Sequence, residues 1–169
     1  DVLAAAKFFR EKEDIVFVFV GEGAMKQDIV RSIRNQKLNN VVLLPFEPRS
    51  RLPEVLASAD ISLVLLRKGL AGLSVPSKIY SILASGRTVL ASVDEESDIA
   101  RIVREANVGF VVPPGNPKEL AERINSLYED NELRKEFGLN ARQFAEKKDF
   151  QEKALEDYGR IFQEVLKEN

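Results

Sequence analysis

Five short apolar runs recur along this chain at intervals of roughly 20 to 30 residues, each followed by turn residues and then by a segment with apolar positions at helical spacing. The most marked is residues 15–20 (IVFVFV), unbroken β-branched and aromatic, which stops at Gly21-Glu22-Gly23. The others are residues 41–44, 61–66, 88–92 and 109–112. A run with no polar side suits a strand covered on both faces, and consecutive parallel strands need a crossover element between them. The alternation therefore predicts an α/β fold, a parallel sheet with helices on both faces. Helices are expected over 2–12, 25–35, 52–59, 95–106 and 117–128, the last capped by Asn116 with Pro117 at its first position. Two more follow without a strand, over 132–147 and 150–167, so residues 130–169 read as a helical tail.

Composition narrows the function. With 169 residues, 44% hydrophobic, the chain can bury one substantial core, and residues 1–169 are expected to form a single domain. Against 27 Asp and Glu stand 25 Lys and Arg, a net charge of -2, which gives no general attraction for nucleic acid; any anion must be held locally. No Cys and no His are present, excluding disulfides, thiolate metal sites and histidine-dependent catalysis by this chain alone. No apolar run is long enough to cross a bilayer, and the amino end, DVLAAAKFFREKED, has no signal-peptide pattern, so the cytosol is the expected compartment. Opening on Asp rather than Met, within a helical pattern, the sequence is expected to belong to something longer.

Residues 69–93, GLAGLSVPSKIYSILASGRTVLASV, carry the clearest site signal. Val75 before Pro76 is pushed from helical dihedrals, Pro76 suits a first helical position, and Gly86 suits a left-handed end, bracketing a ten-residue helix over 76–85. Its free amides at Ser77 and Lys78 are candidates to receive an anion. In open α/β sheets ligands lie beyond the carboxyl ends of the strands. There the sequence places Gly21 and Gly23, Phe46, the helix amino end, and the cations Arg67, Lys68 and Lys78, which are the parts of a nucleotide site. Each also has a plainer role: the glycines in a tight turn, Phe46 as a lid on the core, Arg67 and Lys68 in solvent. Glu95, Glu96 and Asp98 fit a substrate hydroxyl, or simply the positive end of a helix dipole.

In order, VGEG, NNVVLLPFEPRSRLPEVLASADISLV, GLSVPSKIYSILASGRTVLAS and GFVVPPGNPKELAERINSLYEDNELRKEFGLNAR resemble the carboxyl-terminal, donor-binding domain of GT-B glycosyltransferases. The likeness is to glycosyl transferase group 1, also called family four, and within it to the bacterial polysaccharide subgroup that includes L-fucosamine transferases. It covers nearly the whole chain, and PSKIYSILASG followed by VLAS is its most specific part. The resemblance implies a Rossmann-like domain that binds a nucleotide-sugar, UDP-linked in this subgroup, as donor substrate. It implies transfer with retention of configuration and no metal or other cofactor. It further implies a polysaccharide or lipid-linked acceptor held by an amino-terminal domain, and a parent protein at the inner face of the cytoplasmic membrane. By position, Leu73, Ser74, Val75, Ser77 and Lys78 correspond to the diphosphate-binding loop and helix end. Phe46 and Glu47 match the segment against the base, and Gly21 to Gly23 the loop beside the donor.

Three departures stand out. Most relatives have two glutamates eight positions apart, near the donor sugar and the ribose hydroxyls; here those positions are Leu73 and Ser81. A hydroxyl at Ser81 binds a ribose diol less strongly than a carboxylate. Pro76 replaces a frequent glycine and removes one N–H from the anion site. Finally, the resemblance puts the domain's first strand, at the middle of the sheet, and its diphosphate-neutralising basic residues upstream of Asp1.

Overall fold

The computed structural model describes residues 1–70 and 77–147, together with Arg160 and Gln163. Leu73, Ser74, Val75 and Pro76 lie outside the described residues, as does the helix expected over 150–167 except at Arg160 and Gln163, which are helical.

Each apolar run forms a strand, and every pairing is parallel. β1 (Phe17–Val20) pairs with β2 (Val41–Leu44), Phe17 opposite Val41 and Val20 opposite Leu44. β3 (Ile61–Leu65) pairs with β4 (Thr88–Ser92), and β4 with β5 (Gly109–Val112). The result is two ladders, β1-β2 and β3-β4-β5, with no pairing between β1 and β3. All five residues of β4 are buried, as its unbroken apolar run predicts for a central strand.

Helices cover both faces. α1 (Val2–Ala6) and α6 (Pro117–Glu129) share one cluster with both ladders, in which Phe17 and Val41 of the first meet Leu90 and Val112 of the second, beside Leu120 and Ile124. On the opposite face, α4 (Lys78–Ala84), α5 (Asp98–Glu105) and α7 (Asn131–Glu146) pack Ile79, Leu83, Ile99, Val103 and Ala141 on Val64, Val89 and Ala91. Each fully buried Leu or Ile there contributes about 1.5–3 kcal/mol. α2 (Lys26–Gln36) and α3 (Leu52–Ala57) complete the crossovers and have no fully buried residue.

Two glycines set close approaches. At Gly109 (φ 156°) β5 begins so near β4 that a Cβ would sit 1.7 Å from the Val89 carbonyl oxygen. At Gly138 α7 crosses the end of α4, where a Cβ would lie 2.6 Å from the Gly86 carbonyl oxygen. Gly86 itself has φ 66°, the left-handed helix end expected of it.

Several boundaries differ from expectation. The first helix stops at Ala6 and tightens into a 3-10 turn over Lys7–Phe9, which swings Phe9 onto Phe17 with ring centroids 6.0 Å apart. α4 begins at Lys78 with Ser77 at its N-cap position, and α5 begins at Asp98 because the Ser97 hydroxyl caps it, accepting from the Ala100 N–H at 3.2 Å.

Candidate functional site

The loops after β1 and β2 leave the carboxyl ends of one ladder and those after β3 and β4 leave the carboxyl ends of the other, and a hydrogen bond near each pair of ends ties the strands or their loops together. In the first pair the Gly21 N–H donates to the Leu44 carbonyl at 3.1 Å. Gly21 has φ 123°, so glycine is required for the turn itself; a Cβ at Gly21 or Gly23 would meet nothing within 4 Å. The space beside both glycines is open. One residue beyond Pro45, Phe46 is 70% exposed, which removes its alternative role as a lid on the core. Glu47 is partly covered and accepts from Arg51 at 3.1 Å, so its carboxylate is already engaged on the protein.

In the second pair the Gly69 N–H donates to Asp94 Oδ2 at 2.7 Å, latching the loop after β3 to the loop after β4. The sequence reading passed over Asp94. Its signal was the position of a carboxylate immediately after a buried strand, facing a loop that carries a glycine with φ 82°. Arg67 and Lys68 are exposed. The acids of the next helix are used locally: Glu95 pairs with Arg104, and Asp98 with Arg101 at 2.8 Å. Glu95, Glu96, Arg101, Arg104 and Glu105 border a shallow hollow of about 340 Å³ on this flank.

At the start of α4, Ser77, Lys78 and Ser81 are exposed while Ile79, Ile82 and Leu83 anchor the helix in the core. Tyr80 N–H donates to the Ser77 carbonyl at 3.2 Å; the amides of Lys78 and Ile79 precede the first one with an intrahelical acceptor. Ser81 lies about 5 Å further along the helix axis than Lys78, at 1.5 Å per residue, so it sits back from the edge. The structure thus places Gly21, Gly23, Phe46 and Glu47 beyond the carboxyl ends of β1 and β2, and Ser77 and Lys78 at the start of α4, while Leu73, Ser74 and Val75 fall outside the described residues between β3 and α4. Among the described residues, no three His, Cys, Asp or Glu side chains converge as metal ligands would.

The family described as glycosyl transferases group 1 matches residues 1–144, a span that contains all of these loops. The chain belongs to that family. This group 1 glycosyl transferase chain is 30% identical over 129 residues to the probable glycosyltransferase WbjE of Pseudomonas aeruginosa, covering 76% of this chain and 32% of that protein. It spans about a third of the length of the curated relatives it matches. Among solved structures, TarM of S. aureus superposes with a TM-score of 0.79 at 22% identity over 95% of this chain and 31% of TarM. HepE of Anabaena, crystallised with UDP-glucose, superposes with a TM-score of 0.67 at 23% identity, covering 85% of this chain and 39% of HepE. The parallel sheets with helices on both sides are those of GT-B glycosyltransferases.

Proposed function

We propose that this group 1 chain is the donor-binding domain of a larger, two-domain retaining glycosyltransferase of family four, allied to the bacterial polysaccharide subgroup that includes L-fucosamine transferases. Its donor is a UDP-sugar and its acceptor a polysaccharide or lipid-linked saccharide, with no metal required. The observation that carries this is the group 1 family match over residues 1–144, a span that includes Gly21, Phe46, Ser77 and Lys78. HepE, which shares the fold, was crystallised with UDP-glucose. Among the described residues β1 and β3 each pair on one side only, which is consistent with a further strand from upstream of Asp1, as the resemblance implies. The parent protein acts in the cytosol, at the inner face of the membrane.

In this reading the diphosphate rests on the amides at the start of α4, within the stretch Leu73 to Lys78 that the resemblance assigns to it, and Phe46 lies against the base. Fixed N–H dipoles and the Lys78 ammonium then stabilise the charge that develops on the leaving UDP, at no reorganisation cost during the reaction. Calorimetry tests the site: UDP is expected to bind saturably to the intact protein carrying this chain, and absence of heat at millimolar UDP would count against the donor assignment. In that protein Lys78→Ala is expected to lower sugar transfer about tenfold or more, the loss of a charge-assisted contact worth roughly 1.5–3 kcal/mol.

A second reading, a nucleotide-binding or interaction module without transfer chemistry, is favoured by Leu73 and Ser81 where relatives have glutamates. Saturable UDP binding with no sugar transfer by the intact protein would select it.

A further inference from the structure

Past their carboxyl ends β3 and β4 are held unequally. On the β3 side the Leu66 N–H still donates to the Ser92 carbonyl at 2.9 Å, and there the ladder stops. Residues 67–70 then form a turn, the Leu70 N–H donating to the Arg67 carbonyl at 3.3 Å with Gly69 at φ 82°. Arg67, Lys68 and Gly69 are all exposed, so burial does little to fix this turn.

The β4 side runs into a firm support. Val93 is fully buried and its N–H donates to the Val112 carbonyl at 3.1 Å, while the Asp94 carbonyl accepts from the Ser97 N–H at 3.0 Å. From this support the half-buried Asp94 side chain reaches the turn, its Oδ2 accepting from the Gly69 N–H at 2.7 Å. Among the described residues this is the one hydrogen bond that residues 67–69 make outside their own turn.

A carboxylate does two opposing things at this place. As an acceptor it makes a charge-assisted bond, roughly twice as strong as one to a neutral oxygen. As a charge it has the wrong sign, because the donor assignment puts a diphosphate in the stretch 73–78 that begins four residues after Gly69, and like charges repel. Any help that Asp94 gives to donor binding therefore comes through the amide it holds.

We propose that Asp94 is a positioning residue for donor binding: by holding the Gly69 N–H it fixes the turn that carries Arg67 and Lys68 and leads into the diphosphate stretch, without touching the donor itself. The proposal rests on the donor assignment above. Arg67 and Lys68 have no ion pair among the described residues, so their charge is free to act on an anion once the turn is set. Fixing the turn before the ligand arrives removes an ordering cost from binding, so the effect falls on affinity.

Two readouts on the intact protein carrying this chain test it: calorimetry with UDP, and amide hydrogen exchange at Gly69. Asp94→Ala removes the acceptor and the charge together, whereas Asp94→Asn removes the charge and keeps an oxygen at the same reach. Electrostatics alone predicts tighter UDP binding by both variants. The latch predicts that Asp94→Ala weakens UDP binding about tenfold and speeds Gly69 exchange about tenfold, while Asp94→Asn stays within about threefold of the unsubstituted protein in both. Where Asp94→Ala does not fold, Asp94→Ser, too short to reach the amide, carries the same expectation. UDP held as tightly or more tightly by the folded Ala or Ser variant overturns the proposal and leaves the donor assignment standing. So does Asp94→Asn binding as weakly as Asp94→Ala, or Gly69 exchange that ignores every substitution. No UDP binding by the unsubstituted protein overturns the donor assignment, and this role of Asp94 with it, even where Gly69 exchange still reports the bond.

Discussion

Single positions in this chain are constrained for different physical reasons, and their substitution should show it. Gly109 is dictated by contact: with the Val89 carbonyl 1.7 Å from any added Cβ, Gly109→Ala must push β5 away from β4. Overpacking and backbone strain together predict a loss of about 3 kcal/mol, measurable by urea denaturation, whereas Gly23→Ala, with open space around it, should change stability by less than about 1 kcal/mol. Tyr128 is set by charge. Its hydroxyl donates to the Asp14 carboxylate, and that bond, with smaller contributions from desolvation and from the charges of Asp14 and Glu129, raises its pKa above the ordinary tyrosine value. The Lys12 ammonium lies 4.5 Å from the same ring. A raised folded-state value means that the unfolded chain releases this proton first, so the stabilisation is complete below the free tyrosine pKa and disappears as pH rises through the folded value. NMR of ring-labelled tyrosine should find Tyr128 titrating above the free amino acid, and Asp14→Asn should bring it down. Neither feature is visible in the sequence, because Asp14 and Tyr128 meet only after α6 has folded back on α1.

For the elements, the sequence is legible wherever punctuation and periodicity agree. Pro45 ends β2 at Leu44, and Asn116-Pro117 opens α6 at the expected residue, the Asn116 Oδ1 accepting from the Glu119 N–H at 3.1 Å. Legibility fails where tertiary contacts shorten an element. Helical spacing continued to Lys12, yet Phe9 is drawn onto Phe17, and Asn40 is buried and donates from Nδ2 to the Ala6 carbonyl at 2.9 Å. The site was partly legible for the same reason. The positions of Gly21, Phe46, Ser77 and Lys78 follow from strand order, but the Asp94 latch on Gly69 depends on a partner remote in sequence. Capping carries the clearest prediction at this scale: Ser97→Ala removes the acceptor for the Ala100 N–H and should cost about 1 kcal/mol, lowering Tm by about 3 °C in a thermal melt.

Across the whole molecule, the two ladders are covered unequally. β4 is paired on both sides, and its helices cover the face that holds Val89 and Ala91. Among the described residues β1 has one neighbour, and Val16, Val18, Val20, Val42 and Leu44 are all at least 38% exposed. The unbroken IVFVFV run reads like a strand covered twice, and among the described residues it is covered once. Because Phe17 N–H donates to the Asn40 carbonyl and Gly21 N–H to that of Leu44, the alternate amides, Val18 and Val20, point away from β2. Hydrogen exchange should therefore be fast at Val18 and Val20 and slowest at Leu90 and Ala91. A strand edge with free donors beside a bare valine surface is also a template for other chains. Concentrated solutions of these 169 residues should accordingly form oligomers by edge-to-edge association. A lysine at Val18, placing charge on that template, should keep them monodisperse.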